Sequence, residues 1–129
     1  MKRILLVESH TVFRQALAIN IDGQPGLRVV AQAGSITEGL RMAAEGFDAA
    51  VVDLSLPAGD EPDLVTGLQR ANPRAEILGL SRRRDLNRYA EALEAGAATV
   101  ISRDTSLEEI LGSLKFLSSG EVFFLSRRA

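Results

Sequence analysis

Hydrophobic positions along this chain fall into blocks with two periods. Ile4-Leu5-Leu6-Val7 and Ala49-Ala50-Val51-Val52 are uninterrupted apolar runs, and each ends on a carboxylate, Glu8 or Asp53. Runs without polar alternation suit strands buried on both faces of a parallel sheet. Leu27 to Ala33, Ile77 to Leu80 and Thr99 to Ser102 read as three further strands, closed by Gly34, Ser81 and Arg103-Asp104. The stretches between them carry the helical period. Phe13, Ala16, Leu17 and Asn20 share one face; Ile36, Leu40, Ala43, Ala44 and Phe47 recur at helical spacing. So do Leu86, Tyr89, Ala90 and Leu93, and then Leu107, Ile110, Leu111, Leu114 and Leu117. A third helix is predicted from Asp63 to about Ala71, stopped by Asn72-Pro73. Ser35 with Glu38 and Ser106 with Glu109 have the spacing of capping boxes. Asp22-Gly23, Gly96 and Gly120 mark helix ends.

Strands alternating with helices, joined by right-handed crossovers, give a doubly wound (βα)5 sheet with helices on both faces. In the flavodoxin-like order 2-1-3-4-5 the switch point falls between strands one and three. Asp53 then lies at the carboxyl edge of a central strand, where open α/β sheets place their ligands. Pro57 lacks an amide hydrogen, so the strand is over by then. A chain of 129 residues is long enough for one cored domain and too short for two ordinary ones. Residues 1–120 are therefore read as the domain. Residues 121–129, with Val122-Phe123-Phe124-Leu125 and Arg127-Arg128, are either a buried C-terminal tail or the start of a linker.

Composition removes several classes. Apolar residues at 46% and charged residues at 25% are a globular balance, which excludes disorder. A net charge of −2 and a pI near 5.4 argue against broad binding of nucleic acid by this segment. Absence of cysteine excludes disulfides and thiolate metal sites. The apolar runs fall far short of the roughly 20 residues that span a bilayer. The first strand follows the initiator directly, leaving no room for a signal peptide, so a cytoplasmic location without membrane contact is expected.

The residues just past the strands expected side by side are Glu8 and Ser9, Asp53, Ser81 and Arg103. Asp53 alone has a plainer reading, a polar residue ending a strand. The set, at those positions, reads as a site. Asp53 with Leu54-Ser55-Leu56-Pro57, Ser81 after strand four and Gly96-Ala97 before strand five resemble the receiver domain of two-component response regulators. Val7-Glu8-Ser9-His10 followed by Phe13, Arg14 and Leu17 is similar to the NarL/LuxR-type branch, whose members usually carry a C-terminal helix-turn-helix domain. The resemblance covers residues 2 to about 120.

That resemblance implies phosphoryl transfer from a sensor histidine kinase onto Asp53, with Glu8, Asp53 and the Ser55 carbonyl as ligands of Mg²⁺. It also implies a hydroxyl partner for the phosphoryl group in Ser81 and a cation in Arg103. The chain departs from the family pattern in several places. A neutral Ser9 stands where a second acidic ligand is usual, which weakens Mg²⁺ binding. Arg103 replaces a lysine, a planar fork in place of a compact ammonium. Val100 replaces the aromatic switch residue, and Glu61 a glycine. Together these describe an atypical acidic pocket. Arg82-Arg83-Arg84 reads either as a solvated charge run or as a source of an arginine for the pocket, paired with Asp53 or standing in for the metal.

His10, the chain's one histidine, is no triad base, because nothing supplies a Gly-x-Ser-x-Gly elbow. Phe13 and Tyr89 read as packing residues, not ligand platforms. Flavin binding would need aromatic side chains and a hydroxyl-rich loop after strand one, where Glu8 stands instead. Two readings remain. One is a non-enzymatic phosphoacceptor switch acting through a homodimer or a separate DNA-binding domain, by the helix 4–strand 5–helix 5 face or by helices 1 and 5. The other is a degenerate receiver acting as a phosphorylation-independent interaction module.

Overall fold

A computed structural model describes residues 1–56, 63–81 and 86–119. Strand and helix alternate through them: β1 (Lys2–Val7), α1 (Thr11–Asp22), β2 (Leu27–Ala33), α2 (Ile36–Ala43), β3 (Ala49–Asp53), α3 (Leu64–Ala71), β4 (Glu76–Ser81), α4 (Leu86–Ala95), β5 (Thr99–Ser102) and α5 (Leu107–Ser119). Every strand pairing is parallel, and the order is β2-β1-β3-β4-β5. This is the doubly wound sheet expected from the sequence. Expectations placed on Pro57 to Pro62, Glu61 among them, on Arg82 to Arg84, and on Gly120 with the 121–129 tail lie outside the described residues.

Side chains of the central strands alternate between two cores. Leu5, Val7, Ala50, Val52 and Ile77 face α2, α3 and α4, meeting Ile36, Leu64, Leu68 and Ala92. Ile4, Leu6, Val51, Leu78 and Leu80 face α1 and α5, meeting Leu17, Ile21, Ile110 and Leu114. All of β3 is buried, as its unbroken apolar run requires. A fully buried side chain of this size contributes roughly 1.5–3 kcal/mol, so the two cores fix the strand ends firmly. β2, at one edge, alternates between buried and exposed positions and leaves Val30 42% exposed.

Helix faces depart from the sequence reading in places. In α1 the inward stripe is Leu17, Ala18 and Ile21, with Phe13 packed beside it. Ala16 is exposed, and its carbonyl accepts a hydrogen bond from the Asn20 side chain at 2.7 Å. Among the described side chains of α4 the buried one is Ala92, while Ala90 is exposed and Leu93 is 50% exposed. Ala44 lies past the last turn of α2 and is exposed.

The caps form where the spacing places them. Ser35 Oγ accepts the Glu38 amide at 3.2 Å, while Glu38 Oε1 accepts the Gly34 amide at 2.7 Å, one residue earlier than in the usual box. Ser106 Oγ accepts the Glu109 amide and donates to Glu109 Oε1, both at 3.2 Å. Gly96 ends α4 at φ 119°, a left-handed conformation that side-chain-bearing residues disfavour, with Gln69 Cγ only 2.6 Å from where a Cβ would sit.

Candidate functional site

Strand register brings the sequence-predicted residues to one edge. Val7 pairs with Val52, so Glu8 and Asp53 follow at the same level on adjacent strands, ~4.8 Å apart in the sheet. Asp53 pairs with Leu80 and Ser81 with Ser102, which sets Ser81 and Arg103 one step further along β4 and just beyond β5. Backbone bonds hold these ends: the Glu8 amide donates to the Ala33 carbonyl at 2.9 Å, the Leu54 amide to Leu80 at 2.9 Å, and the Arg103 amide to Ser81 at 2.7 Å.

Among the described residues, Glu8, Asp53 and Ser81 are the buried polar or charged ones, at 0%, 2% and 3% exposure. Burying a carboxylate is costly unless it is hydrogen-bonded and paired. Glu8 meets both conditions. Its Oε2 accepts the His10 amide at 2.9 Å and lies 3.4 Å from Nη2 of Arg103. The Arg103 guanidinium in turn lies over the Phe13 ring, its carbon 4.5 Å from the centroid, and its side chain is only 14% exposed. A cation held over a ring is stabilised by about 0.5–2 kcal/mol, more as water is excluded. Asp53 is held differently. Its Oδ1 accepts the Ser55 amide at 2.8 Å, while buried Oδ2 accepts no hydrogen bond among the described residues.

Ser9 lies in this turn but is exposed, and its side chain is neutral. His10 caps α1: its Nδ1 accepts the Phe13 amide at 3.2 Å, the structural role expected of it. Val100 is half-buried against the α2–α4 core. Ser55 is exposed at the start of the loop after β3.

Three residues of the site escaped the sequence reading as functional groups. Phe13 is the platform for Arg103, where the sequence suggested packing alone. Arg14 donates through Nη1 to the Glu8 carbonyl at 2.8 Å. Arg88 of α4 donates through Nε at 2.8 Å, and also through Nη2, to the carbonyl of Leu54, the residue after Asp53. Phe13 and Arg14 had one signal, their place in the first turn after the β1 edge. Arg88 had none, since its reach depends on where α4 packs.

Residues 4–115 match the response regulator receiver domain family. The chain belongs to that family. Its curated relatives are transcriptional regulators of the NarL/LuxR type. It is 28% identical over 122 residues to the transcriptional regulatory protein LiaR of Bacillus subtilis, covering 94% of this chain and 58% of that one. It is 30% identical over 130 residues to the transcriptional activator DevR/DosR of Mycobacterium tuberculosis, covering 100% and 60%. The receiver thus spans about three fifths of the length of these relatives. Among solved structures, a LuxR-family response regulator from Aurantimonas sp. SI85-9A1 superposes with a TM-score of 0.83 at 27% identity, over 94% of this chain and 87% of that one. The receiver domain of the putative response regulator NarL from Mycobacterium tuberculosis gives 0.82 at 21%, over 93% and 98%, a likeness of fold. Among the described residues of this receiver, no helix is long and apolar enough to cross a membrane.

Receiver domains typically hold Mg²⁺ beside the acceptor aspartate, and the donors here fit it poorly. The ion requires near-octahedral oxygen ligands. Of Glu8 and Asp53, the two buried carboxylates among the described residues, Glu8 faces a guanidinium, and Ser9 offers no charge. Among the described residues, no group of three or more His, Asp or Glu side chains is placed to hold a metal.

Proposed function

We propose that Asp53 is the phosphoacceptor of this receiver and that a sensor histidine kinase is its donor. The observation that carries the reading is the burial of Glu8, Asp53 and Ser81 together at one sheet edge, with Asp53 Oδ2 left without a hydrogen-bond partner among the described residues. In the transfer, a carboxylate oxygen of Asp53 forms the new bond to phosphorus. The bond from phosphorus to the kinase imidazole breaks, and that nitrogen keeps the electron pair. The Ser81 hydroxyl donates to the arriving phosphoryl oxygens, and Arg103 supplies the fixed positive charge. Divalent metal plays a weak part: with Glu8 facing Arg103 and Ser9 neutral, Asp53 and the Ser55 carbonyl are the ligands left for Mg²⁺.

The domain signals and does not turn over a substrate. Residues 1–120 form the receiver and 121–129 open a linker to a helix-turn-helix output, a division supported by relatives whose names describe transcriptional regulation. The protein works in the cytoplasm as a homodimer, and it reaches DNA through that separate domain.

Intact mass after incubation with acetyl phosphate, with and without Mg²⁺, tests the acceptor role. The expected result is a phosphoryl adduct in the native chain and none in Asp53→Asn. No adduct under any condition overturns the reading and leaves a receiver fold used as an interaction module.

A further inference from the structure

We propose that Arg88 is a positioning residue for Asp53: its guanidinium fixes the Leu54–Ser55 peptide, and that peptide orients the carboxylate for attack through Oδ2. The inference rests on reading Asp53 as the phosphoacceptor and names what sets the angle of its carboxylate.

The link runs through a single peptide group. Arg88 Nε donates to the Leu54 carbonyl at 2.8 Å, and Nη2 donates to the same oxygen. The amide of that same peptide belongs to Ser55, and it donates to Asp53 Oδ1 at 2.8 Å. Guanidinium, peptide and carboxylate therefore form one chain of hydrogen bonds with a charged group at each end. Such chains polarise along their length, so a cation on the carbonyl makes the amide a better donor. Arg88 reaches Leu54 across a groove between α3 and α4 that Val65, Thr66 and Ala92 also line. Glu91 lies 3.6 Å from Nη1, the nitrogen not used on Leu54.

Local packing explains why the carbonyl contact matters. The Leu54 amide donates to the Leu80 carbonyl at 2.9 Å, and the Leu54 side chain is buried over Gly79. Neither contact fixes rotation about the Leu54 Cα–C bond. Because the peptide is planar, that rotation swings the Leu54 carbonyl and the Ser55 amide together. The guanidinium holds the plane at the angle that aims the amide at Oδ1. With Oδ1 engaged, buried Oδ2 accepts no hydrogen bond among the described residues, and it is the oxygen presented for attack.

The full chain, labelled with ¹³C and ¹⁵N, is compared by NMR with Arg88→Met and Arg88→Gln. Both variants are neutral, so a fold lost in one leaves the other to decide. The Ser55 amide proton and the Asp53 carboxyl carbon should both move, the proton toward higher field as its hydrogen bond weakens. The rate of labelling by acetyl phosphate should fall about tenfold, as a reacting group loses its set angle. In that step Oδ2 bonds to phosphorus, the bond to the acetate oxygen breaks, and acetate leaves with the electron pair. The loss should persist in about 1 M NaCl, where charges more than roughly 3 Å apart are screened. Glu91→Gln, which removes the acidic neighbour and spares the link, should label within about twofold of the native rate. An Asp53 carbon signal unmoved in the variants overturns the proposal. So does a loss that disappears at high salt, or an equal loss in Glu91→Gln. Equal labelling of the native chain and the variants removes this inference and leaves the phosphoacceptor reading standing. No adduct in the native chain removes that reading instead, and the Asp53 signal then decides alone whether Arg88 orients the carboxylate.

Discussion

Replacing Arg103 by methionine keeps much of the side chain's bulk and removes its charge, which takes from buried Glu8 the guanidinium 3.4 Å away. Breaking a buried pair from one side costs roughly 3–5 kcal/mol. Arg103 is 14% exposed, so water can reach part of the vacated space and the loss should fall near the lower end, at about 2–3 kcal/mol. Glu8→Gln alone should lose less, about 1 kcal/mol, because the guanidinium keeps its ring and has a path to solvent. With both changes made, the ion pair is removed from both sides. The double variant should then sit within about 1 kcal/mol of the native chain, since neutral replacement of both partners is close to neutral in stability. The coupling energy from this cycle is therefore about 2 kcal/mol. Urea unfolding followed by far-ultraviolet circular dichroism resolves it. At a slope of about 1–3 kcal/mol per molar for a chain of this size, Arg103→Met should lower the midpoint by roughly 1 M or more, and Glu8→Gln added to it should restore most of that. Additive losses, with the double variant the least stable, would refute the pairing as the reason Glu8 tolerates burial.

Gly79 in β4 has room for no side chain. A Cβ there would lie 2.9 Å from Leu54 Cδ1, and Leu54 is itself buried, so Gly79→Ala should destabilise the domain by about 1–3 kcal/mol in the same assay. Ser35→Ala removes the oxygen that caps α2 and should lower stability by about 1 kcal/mol, with thermal unfolding as the readout. Arg88→Ala removes the guanidinium from the Leu54 carbonyl and should speed amide exchange in α4 relative to α1, measured by hydrogen–deuterium exchange. Asp48 is held below its ordinary carboxylate range by hydrogen bonds from the Arg3 side chain and the Arg3 amide. Folding therefore favours its ionised form: the contribution is present above the unfolded value of about 3.9 and is lost as pH falls through the lower folded value. Asp48→Asn should flatten the acid limb of the stability curve, and an unchanged limb would exclude this pair as a contributor.

Where burial was two-sided, the sequence spoke clearly. β3 reads as an unbroken apolar run because helices cover both of its faces, and Asp53 stands out because it ends that run. The edge elements spoke less clearly. In α4, which neighbours the half-buried edge strand β5, Ala92 is buried while Leu93 is 50% exposed, so the described apolar residues do not share one inner face. The chemistry divided in the same way. Glu8, Ser81 and Arg103 were legible because strand ends converge in this topology. The support of Arg103 by Phe13 and the reach of Arg88 to Leu54 join segments far apart in sequence through side-chain conformation, for which spacing carries no signal.

The placement of Arg103 also bears on the order in which the domain can assemble. A ribosome delivers β1 before the other strands and β5 after them, yet β1 lies inside the sheet and the acid that follows it, Glu8, is paired with the residue just past β5. A nascent chain that has paired β1 with β2 and β3 carries Glu8 without the Arg103 guanidinium, and burying a carboxylate that lacks a counter-ion of the finished fold is unfavourable. The half-made sheet is thereby kept open on the side that α5 will cover until β5 has emerged. Truncated products ending before Arg103 should remain expanded and accessible to proteases and chaperones, an electrostatic check that only chains extending past β5 can pass.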